Sequence, residues 1–211
     1  LVSKPLIKTT LEVMKNAGIE VDFSNDLLHF SIPCGQQYSA GEYIVNGDYP
    51  SVAAIFAAGS VVGGEFTVGR LFLDSQGEQA VLPLLEKMGC KLERSGSQVR
   101  FGSAKNLEAV DFDGDKATDA VLALIAASAF AEGESRFYGI GNLRLKECDR
   151  ITVPINELQK LGVDCREDKD EVIVRGNPSG YKGGVEVETY HDHRVAQMLT
   201  IVGLGCHEGL T

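Results

Sequence analysis

A repeat with a period of 71 to 73 residues limits what this chain can fold into. Three amphipathic segments each end at a glycine, and these glycines are Gly18, Gly89 and Gly162. Apolar periodicity that stops at a glycine predicts a helix with the glycine just beyond its C-terminus. Each segment precedes two short strand-like stretches that are separated by polar turn residues. A period this long indicates a repeated subdomain and not a solenoid.

A second set of helices recurs within the same repeat, and each of them is preceded by an aspartate. Asp48, Asp119 and Asp192 each stand just before an apolar segment of helical length. Short strand-like segments follow the first two of these helices, at 65–68 and 135–138. An aspartate at a helix start accepts backbone N–H bonds, so capping is the simplest role for all three. Any one of them could instead act as a base if it faces a pocket.

The two sets of helices together define a βαβαββ unit, which places the chain in the α/β class. Residues 1–45 hold the back half of one unit, residues 46–177 hold two whole units, and residues 185–211 hold the front half of another. The chain starts with Leu-Val-Ser and stops in a predicted turn. We therefore expect it to be a piece of a longer protein.

A charged cluster at 142–150 contains three cations and two carboxylates just ahead of an apolar helical pattern. If the helix already includes Lys146, then Lys146 and Arg150 share a face with Glu147 beside them. If the helix starts at Asp149, as a proline in its first turn favours, the cluster surrounds a helix N-terminus that attracts anions. Either arrangement suits a phosphate or carboxylate beside an acid–base group. The alternative is a solvated, salt-bridged helix start.

The charge balance narrows the class of partner. The formal net charge is −10 and no basic tract is present, which argues against nucleic acid. Anionic small molecules remain compatible, because a local cationic cluster can dominate one pocket of an acidic protein. No apolar segment reaches transmembrane length and no signal peptide is visible, so we expect a cytoplasmic protein without membrane contacts.

The cysteines and histidines do not have the spacing of a metal site. Five cysteines are scattered without a close pair, which favours reduced thiols over a zinc site or a disulfide framework. Cys148 lies inside the charged cluster, where a passive small side chain is favoured over a reactive thiol. His191 and His193 could form a metal pair, but no third ligand cluster is near them in the sequence. We expect no metal.

Short motifs spread through the chain resemble those of the enolpyruvyl transferases. They are Ser3-Lys4-Pro5-Leu6, Gly47-Asp48-Tyr49-Pro50-Ser51-Val52, Thr118-Asp119-Ala120, Lys146-Glu147-Cys148-Asp149-Arg150 and His191-Asp192-His193-Arg194. The resemblance covers essentially the whole chain and is greatest to the shikimate-pathway members of the family. It implies inside-out α/β barrel lobes, each built from three βαβαββ units. On this pattern residues 1–45 are the tail of one lobe and residues 46–211 are most of the second.

The resemblance also implies a reaction. The carboxyvinyl group of phosphoenolpyruvate is transferred to shikimate 3-phosphate and phosphate is released, as a step of aromatic amino acid biosynthesis. The reaction passes through a tetrahedral addition–elimination intermediate and needs no cofactor. The full-length protein is expected to be a monomer. This chain lacks the family's N-terminal basic residues, its phosphate loop and a C-terminal lysine, so we expect it to be inactive alone.

The same resemblance implies roles for individual residues. Asp119 matches the general base on the attacking hydroxyl, and Glu147 matches a proton-handling carboxylate near the phosphoenolpyruvate methylene. Two carboxylates in a cationic pocket can hold different protonation states, as acid–base catalysis requires. The residues that match substrate contacts are Arg150 and Arg194 as a clamp on phosphoenolpyruvate, Asp192 and His193 nearby, and Ser3, Asn142 and Lys146 on the shikimate phosphate side. Leu6 replaces a family tyrosine that contacts the shikimate phosphate.

Two alternative functions remain open from the sequence. One is an enolpyruvyl transferase that uses a UDP-amino sugar as acceptor, whose reactive cysteine would lie in a part absent here. The other is a non-catalytic lobe that binds anions weakly. The Lys146–Arg150 string favours the shikimate acceptor.

Overall fold

The computed structural model describes residues 3–211, so the first two residues of the predicted lobe tail at 1–45 lie outside the described residues. The helices are α1 (Lys4–Asn16), α2 (Tyr49–Val62), α3 (Val81–Lys87), α4 (Val121–Ser128), α5 (Thr152–Lys160) and α6 (His193–Leu204). The strands are β1 (Asp22–Phe23), β2 (Phe30–Ser31), β3 (Glu65–Val68), β4 (Lys91–Ser95), β5 (Gln98–Gly102), β6 (Leu107–Glu108), β7 (Asp111–Asp113), β8 (Ala131–Glu132), β9 (Glu134–Tyr138), β10 (Asp164–Glu167) and β11 (Val172–Arg175).

The repeat is confirmed at the ends of its amphipathic helices. Gly18, Gly89 and Gly162 follow α1, α3 and α5 with φ angles of 82°, 97° and 83°. Only glycine adopts this left-handed conformation readily, which explains why the residue recurs at this point of the unit. Each helix then leads into an antiparallel hairpin, and these hairpins are β1–β2, β4–β5 and β10–β11.

One βαβαββ unit is complete as a four-stranded sheet with the order β10-β11-β9-β7. Strands β7 and β9 are parallel, and helix α4 connects them. Strand β9 then pairs antiparallel with β11, after the chain has passed through α5 and β10. This order of elements is the one that the repeat predicts.

The preceding unit differs from the prediction at its start. Its sheet has three strands in the order β3-β5-β4, and residues 42–47 form no strand in the described chain. A hydrogen bond from the Gly47 amide to the Arg70 carbonyl (2.8 Å) joins this segment to the chain just beyond β3. Tyr43, Ile44 and Val45 are all exposed. Because these apolar side chains are little buried in the described structure, the hydrophobic effect does not hold the segment in the sheet.

The aspartate-led helices α2, α4 and α6 pack against one another and form the core. All eight residues of α4 are buried, which explains why its sequence is apolar on every side. The strands lie around this helical core, since α4 contacts β9 and β11 and α2 contacts β5. This is the inside-out arrangement that we expected. Within residues 3–211, no helix combines the length and the apolar character needed to cross a membrane.

The last part of the chain repeats the strand–helix–strand pattern around α6. Parallel bridges join Tyr181 to Cys206 and Val185 to Leu210, on either side of that helix. The bridges flank α6, which lies within residues 185–211, the expected front half of a further unit. They also anchor α6, whose N-terminus carries the Asp192-His193-Arg194 motif.

Candidate functional site: a carboxylate–cation cluster at the helix openings

The three aspartates at the helix openings do not behave alike. Asp48 caps α2 by accepting the Ser51 amide (3.0 Å), and Asp192 caps α6 by accepting the Arg194 amide (2.7 Å). Asp119 instead lies in a short 3-10 turn, and no capping bond is found for it in the described chain. Its carboxylate faces Lys146 Nζ at 3.2 Å. The expectation of a common capping role is therefore wrong for Asp119.

Helix α5 begins late, at Thr152. The Asp149 carboxylate accepts the amides of Ile151 (3.0 Å) and Thr152 (3.1 Å), so it closes the helix N-terminus. Lys146 and Glu147 lie before the helix, which confirms the late start and makes the shared helical face wrong. Arg144 forms the salt-bridged part of the segment, with contacts to Asp149 and Asp170.

Arg150 lies at the centre of a buried cluster of charges. Its side chain is 2% exposed, and its Nε and Nη2 atoms fork onto the Asp192 carboxylate at 2.7 and 3.1 Å. Nη2 also donates to Glu147 Oε2 at 2.7 Å, while Nη1 has one longer contact, to Asp119 Oδ1 at 3.4 Å. A guanidinium can be buried here because carboxylates compensate for its desolvation. We call Asp119, Lys146, Glu147, Arg150 and Asp192 the carboxylate–cation cluster.

Asp192 is held in its charged form by its hydrogen bonds. Burial alone raises the pKa of Asp192, but the bonds from Arg150 and from the Arg194 and Val195 amides outweigh burial. The net pKa of Asp192 is therefore lower than the ordinary value of 3.8. At neutral pH the carboxylate stays ionised and keeps both Arg150 and the start of α6 in place.

Cys148 lies beside this carboxylate, with Sγ 3.5 Å from Asp192 Oδ2. Burial, together with the negative charge of Asp192, raises the pKa of the Cys148 thiol to about 11. The thiol is thus protonated at neutral pH and donates to Asp192. A protonated thiol agrees with the passive role that the sequence favours, which stays a prediction.

Two further polar contacts join Ser3, at the start of the described chain, to the rest of the site. Asn142 Nδ2 donates to Ser3 Oγ at 3.1 Å, and the Ser3 amide donates to Asp115 Oδ1 at 2.8 Å. The Oδ1 atom of Asn142 is buried and has no hydrogen-bond partner in residues 3–211. A buried carbonyl oxygen without a donor is costly, which makes this atom a candidate ligand contact.

The Asp192-His193-Arg194 motif places one further cation at the site. Arg194 Nη1 donates to Gln197 Oε1 at 3.0 Å, and Arg194 Nε is buried without a partner in the described chain. Arg194 reaches the carboxylate–cation cluster through its amide, which donates to Asp192. His193 lies on the first turn of α6 with its side chain exposed, and within residues 3–211 it has no hydrogen bond or ion pair to the cluster.

The described residues offer no ready metal site. No three histidine, cysteine, aspartate or glutamate side chains in residues 3–211 are grouped as ligands. The three carboxylates of the cluster already accept hydrogen bonds from Lys146 and Arg150. Within the described residues, His191 and His193 have no third ligand beside them.

One buried charge was missed from the sequence. Glu157, in the middle of α5, has a fully buried side chain. Its pairing with Lys160 three residues later is typical of a solvated helix face, so the sequence gives little reason to single it out. The available signal is its spacing of four residues from Leu161, which is also buried.

Aspartate-led core helices inside βαβαββ units, with the carboxylate–cation cluster at their openings, are typical of the enolpyruvyl transferase fold. The solved structure of the enolpyruvyl transferase NikO from Streptomyces tendae has this fold, with a TM-score of 0.72 and 18% identity over 98% of this chain and 47% of that one. The particular family follows from the sequence. Residues 1–211 match EPSP synthase (3-phosphoshikimate 1-carboxyvinyltransferase) over their whole length, and the chain belongs to this family.

Relatives from bacteria and archaea agree with this assignment. The 3-phosphoshikimate 1-carboxyvinyltransferase of Deinococcus radiodurans is 40% identical over 94% of this chain and 45% of its own length. That of Methanocaldococcus jannaschii is 35% identical over 97% of this chain and 47% of its own length. The structure of EPSP synthase from Acinetobacter baumannii matches with a TM-score of 0.78 and 25% identity over 92% of this chain and 47% of that one. The chain thus spans about half the length of these relatives.

Proposed function

We propose that the protein carrying this sequence transfers the carboxyvinyl group of phosphoenolpyruvate to a hydroxyl of shikimate 3-phosphate. The hydroxyl oxygen bonds to C2 of phosphoenolpyruvate as a proton adds to the methylene carbon, which gives a tetrahedral intermediate. The bond between C2 and the phosphate oxygen then breaks, the added proton leaves, and inorganic phosphate is released. The family and the names of the relatives support this acceptor over a UDP-amino sugar.

The observation that carries the proposal is the position of Asp119. Its carboxylate is freed from capping, is 23% exposed, and lies between Lys146 and Arg150. A general base must reach a substrate proton, so a carboxylate that keeps some access suits the role better than a buried cap. In this proposal Asp119 accepts the hydroxyl proton, and Glu147, whose side chain is 51% exposed, handles the proton at the methylene carbon.

The anionic groups of the substrates find separate donors. For phosphoenolpyruvate we assign Arg194, whose Nε atom has no partner in residues 3–211, and the Nη1 atom of Arg150, whose one contact to Asp119 is long. A planar guanidinium binds a carboxylate or phosphate through two donors, which a lysine cannot do. Asp192 holds the Arg150 guanidinium and the Arg194 backbone amide, and His193 borders the same side. For shikimate 3-phosphate we assign Ser3, Asn142 and Lys146.

We also propose that the site is shared between two lobes and that this chain supplies only part of it. We propose that residues 1–45 are the tail of one lobe and that residues 46–211 are most of the second. The chain spans about half the length of its relatives, and its exposed apolar segment at 43–45 would be covered in a larger assembly. We accordingly propose that the 211-residue chain is inactive alone and that the two-lobed protein works as a cytoplasmic monomer.

The test is phosphate release by a protein that carries both lobes, with the 211-residue chain assayed beside it. We expect release from the two-lobed protein only when phosphoenolpyruvate and shikimate 3-phosphate are both present. Replacing the acceptor with UDP-N-acetylglucosamine should abolish release. Release with the UDP sugar and not with shikimate 3-phosphate would contradict the proposal, and so would substrate binding without turnover.

A further inference from the structure

A buried carboxylate outside the carboxylate–cation cluster fastens the segment that leads into α6. The Glu157 side chain is 0% exposed, and Lys160 Nζ donates to both of its oxygens, at 2.8 and 2.7 Å. Oε1 also accepts the Tyr190 hydroxyl at 3.1 Å, and Oε2 accepts the Glu188 amide at 3.1 Å. An ionised carboxylate has about four acceptor positions, so this one is saturated.

The segment that Glu157 contacts has an unusual backbone. Tyr190 and His191 are consecutive non-glycine residues with φ angles of 53° and 55°. Side chains with a Cβ atom rarely adopt this left-handed region, and such residues persist only where their surroundings hold them. Here the holding contacts are the two bonds to Glu157 and a bond from the Asp192 amide to the Thr189 carbonyl at 2.9 Å.

The residue that directly follows these two is Asp192. Its carboxylate forks onto Arg150 and accepts the Arg194 amide. A change in the 188–191 turn would therefore move the carboxylate that holds the Arg150 guanidinium and the Arg194 backbone amide. The connection from Glu157 to the anion site has three steps. They are the bonds from the turn to Glu157, the bond from the Asp192 amide to the Thr189 carbonyl, and the contact of the Asp192 carboxylate with Arg150.

We propose that Glu157 is a positioning residue for the phosphoenolpyruvate side of the site. It holds the 188–191 turn in the left-handed conformation, and the turn places Asp192 so that Arg150 and Arg194 can receive an anion. The nature of the anion rests on the function proposed above. The role in positioning rests on the contacts alone.

The charge of Glu157 agrees with this role. Burial by itself raises the pKa of Glu157, but the hydrogen bonds from Lys160, the Glu188 amide and Tyr190 outweigh burial. The net pKa of Glu157 is below its ordinary value of 4.5, so the carboxylate is charged at neutral pH. A charged acceptor makes stronger hydrogen bonds than an amide would.

The experiment compares Glu157→Gln and Tyr190→Phe with a matched control, Glu171→Gln, in the two-lobed protein. Glu171 also pairs with a cation, Arg136, but it does not contact the turn in the described structure. For Glu157→Gln we expect KM for phosphoenolpyruvate to rise about tenfold, while kcat and KM for shikimate 3-phosphate change less than about threefold. Tyr190→Phe should act in the same direction, and the control should match the wild type.

Two further readouts separate positioning from stability. Hydrogen exchange at the amides of residues 188–195 should accelerate in both variants and not in the control, whether or not the protein turns over. The effects of Glu157→Gln and Tyr190→Phe on KM should be non-additive, since both substitutions act on the same hydrogen bond, from the Tyr190 hydroxyl to Glu157.

The outcomes that overturn the inference are distinct from those that overturn the proposed function. An unchanged KM for phosphoenolpyruvate, together with a lower melting temperature, would reduce Glu157 to a purely structural residue. Tyr190→Phe removes a single hydroxyl, so it keeps the test valid if Glu157→Gln fails to fold. A wild-type protein without transferase activity would contradict the proposed function, and unchanged exchange at 188–195 would contradict the positioning role.

Discussion

At the scale of single residues, the site separates groups that hold the structure from groups that can react. Arg150 and Asp192 are buried and bound to each other by a two-pronged contact, whereas Asp119 and Arg194 keep capacity for further bonds. Substitution of Arg150 or Asp192 should therefore change stability, for Arg150 in addition to anion binding, whereas substitution of Asp119 or Arg194 should change chemistry or binding with little effect on stability. This distinction can be tested one side chain at a time.

For the proposed base, Asp119→Asn should lower kcat by about 10²–10⁴-fold in the two-lobed protein. The amide has the same shape and can still bind Lys146, but it cannot take up a proton. Because Asp119 makes no capping bond in the described chain, stability should change little. Steady-state kinetics and thermal unfolding measure the two effects. A kcat close to that of the wild type would remove Asp119 from the mechanism.

For the two arginines, replacement by lysine should give different results although the charge is kept. Arg194→Lys should weaken phosphoenolpyruvate binding by about tenfold to a hundredfold, since it loses one or two charge-assisted hydrogen bonds, with little change in melting temperature. Arg150→Lys should in addition destabilise the fold by about 1–3 kcal/mol, because the fork on buried Asp192 is lost.

Calorimetric titration of each ligand and thermal unfolding of each arginine variant provide the measurement. Binding of shikimate 3-phosphate alone should change little in Arg194→Lys. Loss of shikimate 3-phosphate binding with phosphoenolpyruvate binding intact would mean that the two halves of the site are assigned in reverse.

At the scale of secondary-structure elements, close packing between a sheet and a buried helix fixes one glycine. Gly176 follows β11, and a Cβ atom there would lie 2.4 Å from the Ser128 carbonyl and 2.3 Å from the Ala131 carbonyl. Both atoms belong to the backbone, Ser128 at the end of α4 and Ala131 in β8, so neither can turn aside. The approach allows the Gly176 amide to bond the Gly133 carbonyl at 3.1 Å.

Gly176→Ala should therefore destabilise the protein by about 1–3 kcal/mol, in the range found when a packed core is overfilled. Gly102→Ala is the matched control at the end of another strand, since its added Cβ would have no neighbour closer than 3.7 Å. Urea unfolding of both variants provides the comparison. Equal stability of the two would show that the α4–β11 contact adjusts more easily than its geometry implies.

The elements were largely predictable because their signals are local. Gly18, Gly89 and Gly162 end helices through their own backbone conformation, and a proline in the first turn of α5 favoured the late start that is observed. The site was predictable as a set of residues but not as a set of contacts. Asp119 and Asp192 meet Arg150 across 31 and 42 residues of chain, and no local pattern reports such distances.

At the scale of the whole molecule, buried carboxylates make stability depend on pH in acid. The pKa values of Glu157 and Asp192 are both lower in the folded protein than their ordinary values of 4.5 and 3.8. A group with a lowered pKa contributes stability that is present above its ordinary pKa and is lost as the pH falls through the folded value. Stability should therefore begin to fall below about pH 4.5 and continue to fall as both groups take up protons.

Glu157→Gln should weaken this dependence, because the amide has no proton to gain over that range. Urea unfolding of the wild type and the variant between pH 7 and pH 3 provides the test. We expect the two free energies of unfolding to converge as the pH is lowered. Parallel curves would show that Glu157 has the same pKa in the folded and unfolded protein.

The repeated unit places an aspartate at three helix openings, and this bears on the role proposed for Asp119. Asp48 caps α2, Asp192 caps α6 and also binds Arg150, and Asp119 caps no helix in the part of the chain that the structure describes. Repetition of one unit supplies the same carboxylate several times over, and the two copies that cap helices stabilise the fold. Asp119, which is not needed as a cap, can therefore serve as the base that we propose at little cost in stability. The repeat thus supplies one more aspartate at a helix opening than capping uses, and that aspartate is the proposed catalytic group.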